Sequence, residues 1–305
     1  MAGRFRHRKI KSTAFDESNG HAPLNASGVV QVGPGRFVFI DNNDPTAVFE
    51  LALDADDEEA ERILRRPLAG IAEGQLCDPE GLTRIDSNGE IFLIITSSLC
   101  VSEEGHRVSD GLVRVRYTHH GDLRAEGMHG FRDWLLRLMP SLAAAGRRTP
   151  DDGGLNIEGL AWDPRTRTLL FGVRAPNAPG AATVIRIPVD AVRAPWTVPS
   201  LGAPSAVQVR LPRSTAAQGI RDLSYDEQTG DFLVLLGRSI SSGDDPFQLG
   251  TWSGAGDQVE LLDVTFHRSM KPEGVAAFSR GGDRKLLIVD DRGGYAVCDH
   301  PAGGQ

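Results

Sequence analysis

Three glutamates stand in the same local phrase at distant points of the chain. Glu80 lies in "CDPEGLTRI", Glu158 in "GLNIEGLAWDP" and Glu273 in "MKPEGVAAF". Each is followed by glycine and then by an apolar run suited to a strand. A related segment, "GIRDLSYD", puts Arg221 and Asp222 where the others have Glu and Gly, and "NASGVVQV" puts Ser27 at the glutamate position. If the fold gathers these positions, three carboxylates and an arginine share one small volume. Clustered carboxylates are costly unless a proton or a cation intervenes, so Glu80, Glu158 and Glu273 are candidate ligands for a divalent cation such as Ca, Mg or Mn. Arg221, or Arg174 from "LLFGVRAP", can grip a phosphate or carboxylate bidentately. A metal beside an anion-binding arginine suits hydrolysis of a small ester, lactone or phosphoester. The competing reading of Glu80, Glu158, Glu273, Arg221, Asp222 and Arg174 is a latch, in which buried charges satisfy one another and the backbone at strand starts.

The elements that must position these residues form a repeat. Five segments begin at Asn25, Asp78, Asn156, Gly219 and Lys271, and each continues through turn residues into a second, more apolar strand. "DSNGE", "DPRTRT", "DEQTGD" and "SRGGDRK" supply Gly, Asn, Asp and Pro where the backbone must reverse. Third strands are expected at "AVFELAL", "GLVRVRY", "TVIRIPV", "FQLGTWS" and "YAVCDH". Outer strands are expected at "AERILRRPL", "DLRAEGM", "SAVQVRLP" and "QVELLDVTF". Units with up to four antiparallel strands describe propeller blades. The expected fold is all-β, a five-bladed β-propeller over residues 1–305, with six blades as the second choice. The last unit lacks a fourth strand, and "RFRHRKIKSTAF" near the N-terminus is the strand expected to complete it. Equivalent positions of the inner strands then converge on one axial mouth, joined there by Asp41, Asn42, Arg238, Asp290 and Asp291.

One stretch breaks the pattern. "GFRDWLLRLMPSLAAAG" carries apolar residues at helical spacing, which predicts a helical insertion over 128–145 that Pro140 interrupts. Residues 300–305 are expected to form a flexible tail. "DADDEEAE" (Asp54 to Glu61) lacks the ligand pattern of a Ca-binding loop and is expected to be a solvated turn.

The chain has 305 residues and a net charge of -8, with 40% apolar and 24% charged residues, as in soluble globular proteins. The acidic balance disfavours nucleic acid as a partner. No apolar run reaches the ~20 residues of a membrane span, and no signal core precedes the first unit, so a cytoplasmic location without membrane contact is expected. Cys77, Cys100 and Cys298 are three thiols with no CxxC spacing. That suits reduced cysteines better than a disulfide framework. There is no GxSxG, HExxH or GxxxxGK[ST], so no nucleotide or organic cofactor is indicated. His106, His119, His120 and His129 are a weaker metal set, and His267, just before the third motif, is a candidate acid–base residue.

The ordered phrases "GLNIEGLAWDP…LLFGVRAP", "GIRDLSYD…DFLVLLG" and "KPEGVAAF…KLLIVDD" resemble the bacterial domain-of-unknown-function family 3616, from about Gly28 to Asp291. The resemblance implies a β-propeller and little about chemistry. The chain departs from the family at "VRAP", where Leu-Arg-Gly-Pro is the more frequent reading; the arginine is kept as Arg174. A weaker similarity is to phytase-like esterase and gluconolactonase-type propellers. The latter hold a divalent cation with axial Glu, Asn and Asp side chains, which implies a metal at the same mouth. Two functions follow as expectations. One is a hydrolase with a small-molecule ligand on the axis. The other is a non-catalytic propeller that binds a partner protein in a multiprotein system.

Overall fold

Short antiparallel strands account for most of the computed structural model, which describes residues 8–15, 24–53, 61–72, 74–102, 110–192, 195–212, 218–240 and 246–301. Two short strands come first, β1 (Arg8–Ile10) and β2 (Thr13–Ala14). The first unit is β3 (Ala26–Gly33), β4 (Arg36–Asp41), β5 (Ala47–Leu53) and β6 (Glu61–Ala69). The second is β7 (Pro79–Ser87), β8 (Glu90–Ser97), β9 (Leu112–Tyr117) and β10 (Leu123–Gly127). Helices α1 (Phe131–Leu138) and α2 (Pro140–Ala143) follow. The third unit is β11 (Asn156–Asp163), β12 (Thr168–Ala175), β13 (Ala181–Pro188) and β14 (Ser205–Arg210). The fourth is β15 (Gln218–Tyr225), β16 (Phe232–Arg238), β17 (Gln248–Trp252) and β18 (Glu260–Leu261), trailed by β19 (Val264–Phe266). The last is β20 (Pro272–Arg280), β21 (Asp283–Asp290) and β22 (Gly294–Asp299).

Strand β2 pairs antiparallel with β22 and gives the last unit its outer strand, while β1 pairs in parallel with β19. The basic N-terminus therefore fastens the two ends of the chain together. Strands β6 and β10 also pair, in parallel, which joins the first two units at their outer edges into one sheet of eight strands.

Apolar side chains fill the gaps between successive units in five clusters that close on themselves. Val38, Ile40 and Val48 of the first unit meet Leu82, Leu93 and Val113 of the second. Phe278, Leu287 and Val289 of the last unit meet Phe37, Phe39 and Leu51 of the first. Each fully buried large side chain contributes about 1.5–3 kcal/mol. The fold is thus an all-β, propeller-like arrangement of radially packed sheets.

The helical insertion packs on its own chain. Phe131, Trp134, Leu135, Met139 and Leu142 are buried against Leu155, Ile157 and Phe171, with the Phe131 and Phe171 ring centroids 5.6 Å apart. Met139 separates the two helices, and Pro140 opens the second, where its missing N–H costs nothing. The Asp110 carboxylate accepts the N–H groups of Gly130 (2.7 Å) and Arg132 (3.1 Å) at the start of α1. Residue 300, the first of the expected tail, packs on the fold. His300 is buried, and its N–H donates to the Arg284 carbonyl at 2.8 Å. Residues 302–305 and most of the acidic run 54–61 lie outside the described residues.

The glycines of the motif stand where inner strands nearly touch. A Cβ on Gly81 would lie 2.6 Å from Leu160 Cβ and 2.9 Å from the Glu158 carbonyl oxygen, and one on Gly159 would lie 2.9 Å from Ile220 Cγ2. Overpacking of this kind costs about 1–3 kcal/mol. Gly81→Ala and Gly159→Ala should each lower the urea unfolding free energy by about that amount, whereas Gly256→Ala, whose Cβ would meet only Ser253 Oγ at 3.2 Å, should change it far less.

Candidate functional site

Every motif glutamate is the extra residue of a β-bulge. In β7, Pro79 pairs with Ser97 and Gly81 with Thr96, leaving Glu80 unpaired. Glu158 is skipped between Ile157 and Gly159, Arg221 between Ile220 and Asp222, and Glu273 between Pro272 and Gly274. In β3 the skipped residue is Gly28 instead, at a φ of 45°. A bulge re-aims one side chain without ending the sheet. Four bulges at one level therefore bring Glu80, Glu158, Arg221 and Glu273 together. The partner strand β12 has its own irregularity at Arg174, which delivers a second guanidinium.

The charges pair closely. Arg221 is buried, and its Nε lies 2.6 Å from Glu273 Oε2 and 2.9 Å from Glu158 Oε2, with Nη2 on Glu273 Oε1. Arg174 donates from Nη1 to Glu158 Oε1 at 2.6 Å and from Nε to the Arg238 carbonyl at 3.2 Å. Lys271 Nζ lies 3.5 Å from Glu273 Oε1 and also contacts Asp291. Burial pulls the Arg221 guanidinium below its ordinary value, against the carboxylates that hold it up.

Glu80 lies in a different environment. Its oxygens accept from Ser27 Oγ at 3.1 Å and Asn42 Nδ2 at 3.0 Å, both from the first unit. Burial, reinforced by the charges of Glu158 and Asp78, pushes its carboxyl well above the usual range. Asp78 beside it is also raised, mainly by burial, and Cys100 Sγ sits 3.8 Å from Asp78 Oδ2. Burial raises that thiol to about 11, so it is not a thiolate nucleophile at neutral pH. Asp78 and Leu99 both occupy the left-handed region, at φ 50° and 56°. Such backbone is costly for a bulky residue and marks sites held by their surroundings. Here Arg132 of α1 holds the Leu99 carbonyl at 2.9 Å.

Other residues predicted for this mouth go elsewhere. Asp222 stands at the motif's glycine position and turns into the gap between units. Its Oδ1 accepts the Leu223 N–H (2.8 Å) and its Oδ2 the Val275 N–H (2.7 Å), so it bonds one inner strand to the next instead of facing the mouth. Asp41 and Asp290 tie loops: Asp41 Oδ1 accepts from the N–H groups of Asn25 and Asn43, and Asp290 Oδ1 from those of Lys271 and Arg292. His267 is half-buried on the outer edge, 2.6 Å from Ser269 Oγ. Of the histidine set, His106 lies outside the described residues, His119 meets the edge of Tyr117 and His129 meets Gln75.

A divalent cation on Glu80, Glu158 and Glu273 does not fit this arrangement. Guanidinium groups already neutralise Glu158 and Glu273, with Arg221 wedged between them. Among the described residues no three His, Cys, Asp or Glu side chains converge as a metal site. Unspent capacity lies in the Arg238 Nε–H, buried without a partner among the described residues, and in amides. Asn42 and Asn156 each donate to a motif glutamate (3.0 and 3.3 Å) and leave their Oδ1 atoms buried without a partner among the described residues.

No protein-family model matches the sequence, and no curated protein matches it. Solved structures do. The chain is similar to the GH43 β-1,3-galactosidase BT3683 with galactodeoxynojirimycin at 8% identity, over 97% of this chain and 96% of that one, with a TM-score of 0.54. It is similar to the major Malassezia sympodialis allergen Mala s 1 at 10% identity, over 93% and 96%, TM-score 0.52. An exo-β-1,3-galactanase from Phanerochaete chrysosporium, with β-1,3-galactotriose, matches at 12% identity over 95% of this chain, TM-score 0.51, and the chain spans 63% of it. At these identities the likeness defines the class by fold alone, a propeller-like all-β protein. No helix among the described residues is long and apolar enough to cross a membrane.

Two outcomes test the pairing. Arg221→Met leaves Glu158 only Arg174 and Glu273 only Lys271 at 3.5 Å, and should cost about 3–5 kcal/mol in urea unfolding, most of it recovered by adding Glu273→Gln. Glu80, raised in the folded state, keeps its proton there longer than in the unfolded chain. Its contribution is full in acid and is lost as pH rises from the ordinary carboxyl range through the raised folded value. Glu80→Gln should therefore flatten the fall in Tm as pH rises above the ordinary carboxyl range, relative to the unaltered protein.

Proposed function

We propose that this chain is a five-bladed β-propeller whose glutamate mouth binds a small hydroxyl-bearing ester or lactone and hydrolyses it with Glu80 as proton donor. The count of five is supported by the four-stranded units, by the five apolar clusters between them and by β2 completing the last sheet. A sixth blade would have to come from the residues before β3, which supply only β1 and β2 among those described.

One observation carries the functional reading. Glu80 is the buried motif carboxyl with neutral contacts on both oxygens, and Asn42, which bonds it, has an amide oxygen without a partner among the described residues. Unpaired buried acceptors cost free energy, and ligand hydroxyls can satisfy them. A carboxyl held above its ordinary range gives up its proton less readily and so suits a general acid. Water adds to the acyl carbon and the bond to the alkoxide breaks. Glu80 gives its proton to that alkoxide and regains one from the added water, so the products are acid and alcohol. Asp78, also raised, is the neighbouring group through which that proton can return. The latch of Arg221 with Glu158 and Glu273 holds the opposite wall in place without entering the reaction.

Hydrolysis of p-nitrophenyl acetate and δ-valerolactone tests this reading. Glu80→Gln should lower kcat about 100-fold while KM stays within about twofold. An unchanged kcat, or no turnover of either substrate by the unaltered protein, would sink it.

A further inference from the structure

The inner strands end at a second mouth, on the side of the molecule away from the bulges. A cavity of about 1220 Å³ opens there, lined by the last residues of β3, β7, β11, β15 and β20. That is ample for a small organic molecule. Counting four residues on from the glutamate position in each strand gives Gln31, Arg84, Trp162, Tyr225 and Ala277. All five line the cavity and all are half-buried. The motif that is nearly constant at the first mouth is therefore matched by a layer of five different side chains at the second.

The two sides of this layer differ. Trp162 and Tyr225 occupy the same register position in neighbouring strands and form an aromatic wall. Tyr225 is held in place by Arg165, whose guanidinium carbon sits 5.7 Å from the ring centroid, and by Phe232 at 5.2 Å. On β7, the inner strand next to that of Trp162, Arg84 is fixed in orientation. Its Nη1 donates to the Gln31 carbonyl and its Nη2 to Asp86 Oδ1, each at 2.6 Å. Its Nε is buried and has no partner among the described residues. Arg36 stands exposed on the same side, with no carboxylate in ion-pair distance among the described residues, and His119 lines the rim beside it. On the aromatic side the charges are Arg165 on the Tyr225 ring, Asp226, which is bound by Arg284, and the exposed Glu227.

We propose that this second mouth binds a planar aromatic acid. The ring lies on the wall of Trp162 and Tyr225, and the anionic group accepts the Arg84 Nε–H with Arg36 supplying further positive charge. A buried donor without an acceptor is an open demand for one, and a donor on a guanidinium gives the stronger, charge-assisted bond. A flat ring gains most from aromatic neighbours that are already immobilised. The anion is a carboxylate or a phosphate, which offer the guanidinium the same acceptor chemistry.

Indole N–H signals of the four tryptophans report on this directly. Benzoate and phenyl phosphate should each shift the Trp162 signal saturably, and the tighter of the two identifies the anionic group. Cyclohexanecarboxylate, with charge but no aromatic ring, should bind at least about tenfold more weakly. Arg84→Met and Arg84→Lys should each weaken binding about tenfold or more, the lysine variant keeping a charge but losing the fixed Nε–H. The proposal falls if neither aromatic anion moves the Trp162 signal, if cyclohexanecarboxylate binds equally well, or if both Arg84 variants bind like the unaltered protein. Glu80→Gln should leave this binding unchanged, so the outcome is separate from that of the esterase reading.

Discussion

Inner strands that approach until side chains are excluded are the constraint on which this structure depends. At Gly28, Gly81, Gly159 and Gly274 a Cβ would meet the neighbouring strand at 2.6–2.9 Å, or 3.0 Å from backbone in the case of Gly274. Strands packed so closely cannot all remain in regular register, and each carries an irregularity at this level. The bulge makes one residue redundant for the ladder and turns it toward the axis. A polar residue is tolerated there because the channel, rather than an apolar core, receives it. Glycine and the preceding glutamate are thus two consequences of one packing condition.

The fourth unit departs from the pattern at both positions, and the departures compensate each other's surroundings. Arg221 replaces glutamate and meets the carboxylates of the units on either side, converting a repulsive cluster into a chain of ion pairs. Asp222 replaces glycine, and its carboxylate bonds the Val275 N–H across the gap that glycine closes elsewhere. Burial raises the Asp222 carboxyl well above its ordinary range, and the two backbone N–H groups act against that rise. The ring is therefore asymmetric. From the third to the last unit it is held by charge, while between the first and second it is held by Ser27, Asn42 and a carboxyl that burial pushes above its ordinary range.

Much of this was legible in the residues because repeats convert distance along the chain into proximity. Aligning five phrases placed the inner, second and third strands close to their observed bounds, and the missing fourth strand of the last unit pointed to Thr13–Ala14. Helical spacing and Pro140 located the insertion and its break. What periodicity could not give was direction. A one-residue bulge decides whether Glu80 or its neighbour faces the axis, and alternation alone does not encode it. Asp222 aligned with the site, yet its side chain leaves it, because the carboxylate finds backbone donors in the adjacent strand. The metal reading failed on the same ground: three glutamates in register looked like ligands until Arg221 and Arg174 took up the charge of two of them.

The second mouth was present in the same alignment and carried no recognisable phrase. Gln31, Arg84, Trp162, Tyr225 and Ala277 share a register position and nothing else, so no motif search distinguishes them from ordinary strand residues. Their chemistry emerges only when the ring closes and puts an arginine with an unpaired buried donor in one cavity with two aromatic rings. Repetition in this chain records what the architecture requires, because every unit must solve the same packing problem at the narrow end of the channel. The wide end imposes no such uniformity. Selectivity for a ligand needs unlike groups facing one another, and a repeat can supply these only at positions where its copies have diverged.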